Sequence, residues 1–199
     1  MNEKQVTELI LQSLEHEKGG VLVYETALKC VINEDLREEW EKYLDETHNH
    51  VRILTEVCDA IGLDPETPSP GRTIVHKVGG SLVAAMEEAL AEAPREAAQL
   101  VACECVVIAE TKDHLDWELL GKCGEKLGGA KGKALAAAAD IVEDQEDEHL
   151  YHSKGWCREL WIQSLGMKAV LPPPEEQKDV KTAIGAERAK RARTDMTGS

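Results

Sequence analysis

The sequence predicts an all-α fold, a four-helix bundle built from two antiparallel hairpins and a long crossover that carries a short helix. Three observations point to it. Apolar residues recur every three or four positions along most of the chain, the period of an amphipathic helix. Breakers fall at only a few places, chiefly "NED" (Asn33–Asp35), "GLDPETPSPGR" (Gly62–Arg72), Pro94 and Gly128-Gly129. The one β-branched run, "TIVHKV", has no partner run nearby with which to pair.

In the first helix the stripe is Val6, Leu9 with Ile10, Leu14, Val21, Leu28 and Val31. The second carries Leu36, Trp40, Tyr43, Thr47, Leu54, Val57 and Ile61. Only Asn33–Asp35 separates them, enough to stop one helix and cap the next, so the two run antiparallel. The breaker segment from Gly62 opens the crossover, in which "SLVAAMEEALAEA" forms a short helix ending before Pro94. A third long helix runs from about Arg95 through Leu100, Val107, Leu115 and Leu119 toward Leu127, with Gly128 and Gly129 as its stop. The fourth begins near Lys131 and continues through Leu135, Ile141, His149, Trp156 and Leu160. Residues 1–165 thus form the bundle. Residues 166–199, with the proline run "LPPP" (Leu171–Pro174) near their start and five basic residues against one acidic between Lys181 and Arg193, form a linker and a partly basic flexible tail.

Composition narrows the function. Aromatic content is 4% with no Phe, so Leu, Ala, Val and Ile must fill the interior of the 199-residue chain. A formal charge of −15 repels phosphates and attracts cations, which argues against a body that coats nucleic acid and leaves only the basic tail as a nucleic-acid contact. No run approaches the roughly 18 apolar residues of a membrane span, and "MNEKQVTELI" lacks the order of a signal peptide. Six cysteines without a Cys-x-x-Cys pair read as reduced thiols of a cytoplasmic protein.

"EDQEDEHLYH" (Glu143–His152) packs five acidic residues and two histidines into ten positions. Glu146 and His149 share a face with Val142 and Trp156, whereas Glu143, Asp144 and Asp147 are assigned to water. Glu110 stands about 18 residues before the Gly128 turn and Glu146 about 17 after it, so the two reach one height. Glu104 is the reserve candidate on that helix. The first hairpin repeats the plan, with Glu25 about ten residues before Asp35, Glu46 about eleven after it, and His50 one turn beyond. Four unpaired carboxylates in a bundle core are prohibitively costly unless cations neutralise them.

These residues resemble the ligand plan of the ferritin-like di-iron and di-manganese carboxylate proteins, with one Glu on each of two helices and a Glu plus a downstream His on the other two. Glu146-x-x-His149 matches the Glu-x-x-His element, and Glu25 and Glu110 correspond to the single-Glu helices. The second helix departs, with Asn49 three residues after Glu46 and His50 one further; Asp45 with His48 has the family spacing on a less apolar face. The resemblance covers roughly Glu3 to Trp161, and "YLDETHNHVRILTEVCDAIGLDP" is similar to the second helix of YciF-type ferritin-like stress proteins. It implies Fe(II) or Mn(II), with Zn as a further occupant, in a pair about 3.5–4 Å apart. It also implies reaction with O₂ or peroxide and a homo-oligomer, with a dimer favoured; the choice among ferroxidase, peroxidase-like and catalase-like outcomes stays open. Tyr24 and Tyr151 read as packing pieces beside the site.

"GGAKGKA" (Gly128–Ala134) has too few residues between its glycines for a phosphate loop, and no Gly-x-Ser-x-Gly elbow exists. The alternative from another class is a metal-free helical interaction or scaffold protein, in which the acidic run is a solvated face.

Overall fold

The structure, a computed structural model, describes residues 1–174 and 183–198, with side chains from 188 onward in the second stretch. Every regular element among the described residues is a helix. They are α1 (Glu3–Cys30), α2 (Glu34–Ile61), α3 (Pro70–Glu92), α4 (Arg95–Leu127), α5 (Gly129–Ser164) and α6 (Ala183–Thr197). None of them is long and apolar enough to cross a membrane.

The turn between α1 and α2 is closed from three sides. Asn33 accepts from the Leu36 amide at 2.9 Å and caps α2. Gln99 Oε1, from α4, accepts from the amides of Ile32 and Asn33 at 2.8 Å each. The Arg37 guanidinium donates to the Leu28 and Val31 carbonyls, which α1 leaves without intrahelical partners.

The crossover helix is longer than the sequence predicts: "TIVHKV" is helical, and α3 starts at Pro70 rather than near Ser81. β-Branched residues cost a helix only a few tenths of a kcal/mol each, and the start is strongly fixed. Ser69 caps it, Pro70 occupies the first turn, and the Glu8 carboxylate accepts from Ser69 Oγ and the Gly71 amide at 3.0 and 3.1 Å. Arg72 then ties α3 to α1 through Glu15 at 2.7 Å.

Cross-helix pairs give the directions. Glu17 and Gly20 of α1 meet His50 and Thr47 of α2, in opposite order. Glu46 and Glu39 of α2 meet His149 and Trp156 of α5. Glu110 and Gly124 of α4 face His149 and Ala136 of α5. Trp117 of α4 reaches Glu17 while Gln99 reaches the far end of α1. Each of these four helices therefore has two antiparallel neighbours, and α3 packs along α1 and α4.

The apolar interior is split. One cluster gathers around Trp40, Tyr43, Val106 and Trp156, the other around Leu14, Leu54, Trp117 and Val142. On all four helices the gap between them holds buried polar residues: Glu17, Thr47 and His50, Glu110 and Asp113, Glu146 and His149. The α4 stripe predicted through Val107, Leu115 and Leu119 is not the core face, since Leu115 and Leu119 are exposed. The buried face instead runs through Ala98, Ala102, Val106, Ala109 and Trp117, because small residues let neighbouring helices approach.

Of the predicted linker and tail, residues 175–182 and 199 lie outside the described residues. The rest includes α6, where Ala189 is buried against Tyr151 and Arg193 donates to the fully buried Glu159. All six cysteines are free thiols.

Candidate metal centre

The polar layer draws buried groups from all four of these helices. On α1, Glu17 follows Ile10 and Leu14 on the buried face. On α2, His50 lies one turn after Thr47. Glu110 and Asp113 are a turn apart on α4, as are Glu146 and His149 on α5, and all of these are buried.

Two sets of three ligand atoms form there, Glu17–His50–Glu146 and Glu110–Glu146–His149, with all donor atoms of a set within 4.8 Å of one another. Glu146 belongs to both. His50 Nδ1 lies 3.0 Å from Glu146 Oε1 and 3.5 Å from Glu17 Oε1. His149 Nδ1 lies 3.6 Å from both Glu110 Oε2 and Glu146 Oε1. None of these contacts is a hydrogen bond: the two to His149 are too long, and those to His50 are poorly aligned. Glu17 Oε2, Glu110 Oε2, Asp113 Oδ1, both oxygens of Glu146 and the Nδ1 atoms of His50 and His149 are buried without a hydrogen-bond partner. Orphaned buried polar atoms are normally rare, and a cluster of them at one level calls for a physical explanation, such as strain, a catalytic role, or a bound water or ion.

The backs of the imidazoles are well satisfied. His149 Nε2 lies 2.9 Å from Glu46 Oε2, and His50 Nε2 lies 2.8 Å from Gln145 Oε1. Gln145 Nε2 donates to Glu46 Oε1 at 3.2 Å. An ionised carboxylate only accepts, so His149 must carry its proton on Nε2, and the Gln145 amide must turn its NH₂ toward Glu46. That leaves Gln145 Oε1 facing His50, whose Nε2 must also donate. Both rings therefore turn Nδ1 toward the carboxylates. Trp117 Nε1 donates to Glu17 Oε1 at 2.6 Å and holds that side chain in place.

The electrostatics are those of crowded charge. Burial opposes the His50 imidazolium, but the Glu17 and Glu146 carboxylates outweigh it and raise its pKa to about 11. For His149 the same burial is outweighed by Glu110 and Glu46, giving about 10. Burial, and then Glu110, lift Glu146 to about 7 against the pull of His50. Asp113 is pushed well above the usual carboxylate range by burial and by Glu17, Glu146 and Glu110. Tyr24, beside Glu110, is likewise raised well above its ordinary value, first by burial.

Of the six residues singled out in the sequence, His50, Glu110, Glu146 and His149 come together. Glu25 does not: it is exposed on α1. The stripe through Val21 and Leu28 turned that helix face by a fraction of a turn, and the buried face runs through Leu14, Glu17, Gly20, Tyr24 and Ala27. Glu46 stands behind His149 as its hydrogen-bond acceptor and outside both three-residue sets. The reserve candidates Glu104, Asp45 and His48 are exposed. Sequence reasoning missed Glu17 and Asp113. Their signals were present, Glu17 three residues after Leu14 and Asp113 three after Glu110.

Comparison of the chain with protein-family models, with curated proteins and with solved structures gave no match.

Proposed function

We propose that the chain is a ferritin-like metal-binding protein, with α1/α2 and α4/α5 as the hairpins of a four-helix bundle, α3 as its crossover, and a pair of Fe or Mn ions held in the polar layer. The observation that carries this reading is the sharing of Glu146 between two three-ligand sets, with both its oxygens orphaned and an imidazole Nδ1 approaching from either side. Glu17 and His50 would hold one ion, Glu110 and His149 the other, and Glu146 would bridge. Hard carboxylates with two imidazoles suit Fe(II) or Mn(II), and Zn is also accommodated by such donors. When bound, such a pair supplies electrons to O₂ or peroxide.

The chain's own residues have definable tasks. Trp117 fixes Glu17, Glu46 and Gln145 fix the imidazole tautomers, and the two apolar clusters above and below keep bulk water from the layer. Cation binding must displace the Nδ1 protons of His50 and His149.

A metal-free interaction protein is the second reading, favoured by one observation: two protonated imidazoles already bring positive charge to the carboxylates. Elemental analysis after anaerobic loading with Fe(II) or Mn(II) separates the two. The metal reading predicts about two ions per chain and loss of metal in both Glu146→Ala and His149→Ala, with helical circular dichroism retained in each. Background metal in the parent protein would favour the second reading.

A further inference from the structure

The outer nitrogens of the two histidines are joined by a continuous hydrogen-bonded strap. It runs from His149 Nε2 to Glu46 Oε2 at 2.9 Å, across the carboxylate to Oε1, from there to Gln145 Nε2 at 3.2 Å, and from Gln145 Oε1 to His50 Nε2 at 2.8 Å. The strap passes from α5 to α2, back to α5 and again to α2, so each histidine is oriented by a residue of the opposite helix. Gln145 lies on the acidic run beside Glu146, yet its amide is committed at both ends rather than given to water.

Resting on the metal-binding reading above, we infer that Gln145 and Glu46 are positioning residues that set His50 and His149 as a coupled pair of Nδ1 donors, so that the two cation positions fill together rather than independently. The chemistry requires both members. Gln145 supplies what neither Glu nor Leu can, a donor for Glu46 and an acceptor for His50 at once. Glu46 in turn fixes which way that amide faces. Loss of either leaves one imidazole without its outer partner and free to rotate Nδ1 out of the layer. Outer partners of metal-bound histidines typically govern affinity by about 10–100-fold.

The test is a titration of the full chain with Mn(II), read by paramagnetic resonance and by competition with a chelator, in the parent and in Gln145→Leu, Glu46→Leu and the double variant. In the parent, the spin-coupled spectrum of a manganese pair should dominate even below full loading. In Gln145→Leu the His50 side should weaken by about 10–100-fold while Glu46 still holds His149. A six-line spectrum of isolated Mn(II) should then appear at low loading. The double variant should weaken binding by less than the product of the two single effects, because both act on one strap. Gln145→Glu, which keeps an acceptor for His50, should restore part of the lost affinity. Multiplicative effects, or Gln145→Leu with the parent's affinity and coupled spectrum, would overturn the strap while leaving the metal centre standing. A parent protein that binds no Mn(II) would overturn the metal reading itself.

Discussion

Glu17 and Glu25 differ by eight positions on one helix, and that separation turns a side chain by roughly a fifth of a full rotation. It is enough to carry a carboxylate from solvent to the centre of the molecule. Large apolar residues mislead here, because α1 approaches α2 through Gly20, where a Cβ would lie 3.3 Å from the Thr47 methyl, and a glycine leaves no mark in a hydrophobic stripe. Glu146 and His149 of α5 were legible for the opposite reason, since Val142 and Trp156 are bulky and flank them on the buried face. A residue-scale prediction concerns Glu39, whose carboxylate accepts from Trp156 Nε1 at 2.6 Å, from the Tyr43 hydroxyl and from His152 Nδ1 at 3.1 Å. Burial alone would raise its pKa, but the hydrogen bonds from His152 and Tyr43 outweigh burial and hold it below the ordinary 4.5. A depressed carboxylate stabilises the fold fully above its unfolded pKa and loses that contribution as pH falls through the folded one. Glu39→Gln should therefore cost about 1–3 kcal/mol at neutral pH in urea unfolding. The gap to the parent should narrow progressively below pH 4.5. A gap independent of pH would show that the charge contributes nothing.

Between elements, register decides whether the polar residues meet. The α4/α5 hairpin was legible because Gly128 and Gly129, both at positive φ, end one helix and begin the next at the position the sequence marks. Equal counting from that turn brings Glu110 level with Glu146 and His149 of α5. The α1/α2 turn lies at Val31–Asn33 rather than around Asp35, so the same counting on the first hairpin was offset. Close packing then locks the second hairpin: a Cβ on Gly124 would stand 2.5 Å from the Ala136 amide nitrogen. Gly124→Ala should overpack this contact at a cost of about 1–3 kcal/mol, more than the roughly 1 kcal/mol gained in helix propensity, and should reduce metal content by shifting Glu110. Gly80 is the control, since a Cβ there meets nothing within 4 Å. Gly80→Ala should raise stability by about 0.5–1 kcal/mol with metal content unchanged. Thermal unfolding and elemental analysis of the two variants check both statements, and a stabilised Gly124→Ala with full metal would remove the register from the explanation.

At the scale of the whole molecule, the same layer both divides and organises the interior. Each of the four helices carries apolar residues at its two ends and ionisable ones between, an arrangement that spends hydrophobic burial to keep carboxylates out of water. Such an interior is costly unless opposite charge enters it, and the net −15 of the chain makes cations the natural visitors. The helical class and the polar-layer residues of three of the four helices, α2, α4 and α5, were legible because period and turn residues are local signals. The polar layer as a whole was not, because it exists only once four separate faces are rotated correctly together. The most direct measurement is an anomalous difference map from crystals of the full chain soaked with Mn(II). Two peaks are expected in the layer, one between Glu17, His50 and Glu146 and the other between Glu110, Glu146 and His149. An empty layer, with manganese only on the exposed acidic surface, would contradict a metal centre in this protein.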